Sequence, residues 1–167
     1  METMLGVLSI SAGTVVITQI SSLSNNVFTL INNIIGIAKL SKNVYQIELI
    51  KVLTKTDIEA TLKLLHAIIL EIPLYINLEQ TNNSVVIALD NVKDINGKIE
   101  EELNLIHTKI EYNNSLYVLS HIRSIDCICN LENIEILIIV LDRRCNYLFT
   151  TLDIFKKYKT NGISSYL

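Results

Sequence analysis

The apolar residues predict an all-α fold, a bundle of four to six helices, and three observations carry that prediction. Val85, Leu89, Val92, Ile95, Ile99, Leu103, Ile106 and Ile110 recur every three or four residues, the spacing that lines one face of an α-helix. Leu131, Ile134, Ile138, Leu141, Cys145, Leu148 and Leu152 repeat at 3-4-3-4-3-4, an a/d seam of the kind that pairs helices. Between Thr56 and Pro73, an N-terminal capping signal and the single proline of the chain bracket a third periodic run.

From the N-terminus, residues 3–38 hold no charged side chain. Met4 to Ile20 approaches the roughly 20 apolar residues of a membrane span. Ser9, Ser11, Thr14, Thr18 and Gln19 interrupt it, and Ser21, Ser22, Ser24, Asn25 and Asn26 follow. Three readings stand side by side: a buried bundle helix, a helix lying on or inserted in a membrane, and a hairpin. The hairpin rests on strand-like Leu8-Ser9-Ile10-Ser11 and Val16-Ile17-Thr18 about Ala12-Gly13. The second half is helical by period, through Val27, Phe28, Leu30, Ile31, Ile34, Ile35 and Ala38. Val27, Phe28, Ile31, Ile34 and Ile35 are the candidate interface residues.

Ser41 to Lys55 reads as a short helix carrying Val44, Ile47, Ile50 and Leu53, with a break near Lys55-Thr56. Thr56-Asp57-Ile58-Glu59 is a capping box, in which Thr and Glu satisfy each other's orphan N–H groups. It opens a helix through Ile58, Leu62, Leu65, Ile69 and Ile72 that Pro73 stops. Glu79 to Asn83 is a polar link. The long helix covers about 84–113, roughly 45 Å. Gly97 costs about 1 kcal/mol within it and suits a bend or a close helix contact. Asn113-Asn114-Ser115 marks a turn, and residues 116–129 read as an irregular or kinked helical stretch. The seam helix covers about 131–152 and pairs with the long helix as an antiparallel neighbour. Residues 1–155 form a single bundle domain, and 156–167 a basic tail leaving it.

Composition narrows the function. A net charge of −3 argues against nucleic acid as a partner, since phosphates call for clustered Lys and Arg. High hydrophobicity and low net charge exclude disorder. The 28 Ile and 17 Asn against 5 Ala, 5 Gly and 3 Arg follow A/T-rich coding, so asparagine richness is not itself a binding signal. An odd set of cysteines, Cys127, Cys129 and Cys145, and a start without a positive signal region place the chain in an intracellular reducing compartment.

Chemical motifs are absent from the pattern. The scattered glycines make no phosphate loop, and neither a nucleophile elbow nor H-E-x-x-H occurs. His66 and His107 read as partly buried helix residues. His121, Asp126, Cys127, Cys129 and Cys145 are the one cluster to weigh as a metal site, and Cys127-Ile128-Cys129 has one spacer where zinc sites use two to four. Glu100-Glu101-Glu102 reads as a solvated face. Arg143-Arg144 and Lys156-Lys157-Lys159 read as charged surface. The expectation is a protein that is not an enzyme and needs no cofactor or metal.

Asp57-Ile58-Glu59-Ala60-Thr61-Leu62-Lys63, Glu100-Glu101-Glu102-Leu103, residues 106–117 and Arg123-Ser124-Ile125-Asp126-Cys127 together resemble uncharacterised small helical proteins of large DNA viruses, over about residues 41–150. That resemblance implies a virion or virus–host interaction role and carries over no functional residue. An uncharged N-terminal helix leading into a bundle also resembles the membrane-permeabilising four-helix domains of cell-death executioners and fungal incompatibility proteins. Those domains use a basic patch for lipid, which this sequence lacks near its start.

The expected function is therefore structural: a minor virion or capsid-associated component, oligomeric, assembling with itself or other proteins through apolar helix faces. The alternative is a membrane-active bundle whose residues 3–38 enter lipid.

Overall fold

A computed structural model describes residues 12–40, 44–55, 57–75, 83–116 and 126–163. Among them are five helices and no strand: α1 (Ala12–Leu40), α2 (Val44–Lys55), α3 (Ile58–Tyr75), α4 (Asn83–Ser115) and α5 (Ile128–Ile163). The fold is the all-α bundle that the periodicities predict.

α4 is its spine. All eight residues of the predicted stripe, Val85 to Ile110, are buried, each worth about 1.5–3 kcal/mol once removed from water. α1 lies against α4, and α4 lies against α5. α3 touches both α1 and α5, closing a four-helix ring around one core, while α2 rests on α1. α4 and α5 run antiparallel, as expected: Lys109 bonds to Asp126 and Asn130, and Glu102, two turns earlier, bonds to Asn130 and Asn133.

α1 is a single helix of 29 residues. Gly13 and Val16-Ile17-Thr18 lie inside it, so the hairpin about Ala12-Gly13 does not form. A two-stranded hairpin is marginal alone, whereas as a helix Val16, Ile17, Ile20, Val27, Ile31, Ile34 and Ala38 join one buried stripe. The face opposite is polar, with Gln19, Ser22, Asn25, Asn26, Thr29, Asn32 and Asn33 exposed. No helix among the described residues is long and apolar enough to cross a membrane. Residues 3–11 lie outside the described residues.

Both ends of α3 and of α5 differ from expectation. Thr56 lies outside the described residues, and Asp57 holds the N-cap of α3, its carbonyl accepting from Ala60 and Thr61 N–H at 3.1 and 3.2 Å. Its φ of 48° is a left-handed conformation that Asp tolerates better than most residues. Glu59 pairs forward with Lys63. α3 also passes Pro73 and ends at Tyr75, because a proline in the final turn deprives the helix of a single N–H. Lastly, α5 has 36 residues. It starts at Ile128, where Cys127 O accepts from Leu131 N–H at 2.9 Å and Asp126 Oδ1 from Ile128 N–H at 3.3 Å. Asp126 there complements the positive end of the helix. At the far end, the stretch expected as a basic tail continues α5 as far as Ile163, lysine being a good helix former and favoured near a C-terminus.

Candidate interaction surface

α5 is apolar on two opposite faces. Ile134, Ile138, Leu141, Cys145, Leu148 and Leu152 are buried and form the predicted seam. Half a turn away stand Ile128, Ile136, Ile139, Tyr147 and Ile154, which are 50–69% exposed. At 100° per residue these five fall within about 100° of one another, on one stripe along the outer side of the helix that also carries the exposed Glu132 and Arg143. Elsewhere among the described residues the exposed apolar side chains stand farther apart: on α4, Ile87 shares a line with Leu105 and Tyr112 but lies about 27 Å from Leu105, with Asp94, Lys98 and Glu101 between, and on α3 Leu64 and Leu70 point in different directions.

The outer face is held in place by polar ties beneath it. Lys109 Nζ donates to Asn130 Oδ1 at 2.6 Å and to Asp126 O at 3.0 Å. Asn130 Nδ2 and Asn133 Nδ2 donate to the two oxygens of Glu102 at 2.6 and 2.9 Å. Asn130 is buried, so this carboxylate clamp fixes the rotation of α5 about its own axis. Glu100 accepts from Asn26 Nδ2 of α1 at 2.8 Å. Two of the three acids expected as a solvated face therefore join helices together.

The interface residues named from the sequence lie elsewhere. Val27, Ile31 and Ile34 are buried within the chain's own core, Ile35 is half-buried against it, and Phe28 is half-buried. Their period is that of a helix face, and that face is covered from within the chain. The outer row of α5 had a signal of its own. Once the seam positions are removed from residues 128–154, the leftover isoleucines and Tyr147 fall on one line.

The cysteines are dispersed by the same helix. Cys127 and Cys145 are buried, and Cys129 is exposed. Eighteen residues of rise hold Cys127 and Cys145 about 27 Å apart, too far to share one ion. Among the described residues no group of three or more His, Cys, Asp or Glu is placed to hold a metal. His121 lies outside the described residues. Burial pushes the Cys127 thiol up, against the pull of Lys109 and with a smaller push from Asp126. It pushes Cys145 up to about 12, with Asp142 adding to the effect. Such thiols are protonated and inert.

His66 and His107 sit in helices, as expected. His107 is half-buried, with Nδ1 3.6 Å from Glu111 Oε2. His66 lines a cavity of about 220 Å³ between α1 and α3, with Ser24, Asn25, Phe28, Leu62 and Lys63. Lys63 Nζ lies 5.7 Å from the centre of the Phe28 ring. Comparison with models of known protein families, with curated proteins and with solved structures finds no match.

Proposed function

We propose that this chain is a non-enzymatic assembly protein, a rigid helical bundle that joins a larger structure through the outer face of α5. The observation that carries this function is the row Ile128, Ile136, Ile139, Tyr147 and Ile154, standing exposed on a helix whose other side is already packed. Exposed apolar residues scattered singly need no explanation, whereas five gathered on one helix face, with Glu132 and Arg143 set among them, suit a contact surface. The glutamate clamp on Asn130 and Asn133 supports the same function, because a face held in one orientation presents its side chains without further ordering. The resemblance to small helical proteins of large DNA viruses gives the assembly its setting, a minor virion or capsid-associated component.

Light scattering on the full chain and on the double variant Ile136→Glu with Ile139→Glu tests this, alongside flotation with anionic liposomes. The expected result is a wild-type species heavier than 18.9 kDa and a variant of equal helicity with lower mass. A wild-type monomer that ignores liposomes at every concentration would remove the support. Flotation of a wild-type monomer would favour the membrane-active bundle instead.

A further inference from the structure

Resting on the function just proposed, we infer that the occupant of the outer α5 face is a second copy of this chain, docked antiparallel across a two-fold axis level with Leu137 and Ile138. The order of residues along the face points to such a partner. Ile128, Glu132, Ile136, Ile139, Arg143 and Tyr147 are spaced 4-4-3-4-4, and all six are exposed. These steps keep them on one stripe about 100° wide. Read from either end, the stripe is apolar, charged, apolar, apolar, charged, apolar.

An antiparallel copy in which paired positions sum to 275 sets Ile136 against Ile139, Glu132 against Arg143 and Ile128 against Tyr147, each contact made twice. The paired segment spans about 29 Å. Apolar groups meet apolar groups in the middle, and opposite charges meet on either side of them. A parallel copy would instead set Glu132 on Glu132 and Arg143 on Arg143, the like-charge juxtaposition that excludes a partner. A two-fold interface needs a self-complementary patch, and this stripe has that symmetry in its sequence of side chains.

Charge reversal tests the pairing on the full chain, with mass and dissociation constant read by sedimentation. Wild type should sediment at twice 18.9 kDa. Glu132→Arg alone, or Arg143→Glu alone, should weaken the dimer by about tenfold or more, and the two together should restore it. Both positions are exposed, and circular dichroism confirms folding. Register is read by oxidation: Asn146→Cys should cross-link to the exposed Cys129 of the other copy, since 129 and 146 also sum to 275, and the link should vanish when Cys129→Ser is added. A monomeric wild type overturns the dimer. Single reversals without effect, a double reversal no tighter than the singles, or a cross-link that survives Cys129→Ser overturns this pairing while leaving assembly through some other contact standing.

Discussion

Ser24 and Asn96 place a hydroxyl and a carboxamide in the buried seam between α1 and α4, where Asn96 Nδ2 donates to Ser24 Oγ at 3.1 Å. Asn96 Oδ1 is buried with no hydrogen-bond partner. Removing the hydroxyl alone strands the amide as well, so Ser24→Ala should destabilise the fold by about 1–3 kcal/mol. Combining it with Asn96→Leu replaces both polar groups by apolar ones and should recover most of that loss in urea unfolding. Cys145 supplies a pH dependence. Its thiol is raised from an ordinary 9.0 to about 12, so above pH 9 the unfolded chain loses this proton before the folded one does. The corresponding stability is complete below pH 9 and is lost as pH rises toward 12. Thermal melts across that range should fall more steeply for wild type than for Cys145→Ala, although the variant starts lower because it leaves a cavity.

Gly97 shows what a helix can carry without need. The sequence suggests a close helix contact there, yet a Cβ added at Gly97 meets nothing within 4 Å. It borders an open groove with Gln19, Ser22, Leu23, Lys93, Asp94, Lys98 and Glu101. Gly97→Ala should therefore stabilise α4 by about 1 kcal/mol, raising Tm by about 2–4 °C in a scanning melt. The elements were largely legible in the sequence, because long apolar periods such as Val85 to Ile110 dictate both a helix and its buried side. Their ends were less so. Pro73 and the lysines after Phe155 are local signals: α3 runs past the first to Tyr75, and α5, anchored by buried Leu148 and Leu152, runs past the second to Ile163. The binding face was the hardest to read, since periodicity says that a face is apolar but not what covers it. Val27, Ile31 and Ile34 turned inward, whereas Ile136 and Ile139, hidden in the run 136–141, turned out.

At the scale of the molecule, contacts between distant segments dominate. The ties of α1 to α4 join residues 72 and 74 positions apart, and α2 and α3 fill the interval in sequence. Both ties advance in the same direction along the two helices, Ser24 to Asn96 and then Asn26 to Glu100, so α1 and α4 run parallel. α1 finds its main partner only after the chain has turned back through α2 and α3, and α5 then pairs with α4 locally. The ring thus rests on α4, which alone packs closely on two long helices.

That wiring has a consequence for synthesis. When α1 leaves the ribosome, Val16, Ile20, Val27, Ile31 and Ile34 have nothing substantial to pack against until α4 follows. At ordinary elongation rates that is a delay of roughly 4–15 s, far longer than the sub-microsecond to microsecond times of helix formation. Throughout that interval the nascent chain exposes a greasy helix whose single charge is Lys39. A chaperone that shields such stripes would have its task at the beginning of this protein, and a chain truncated after α3 would never be released from it.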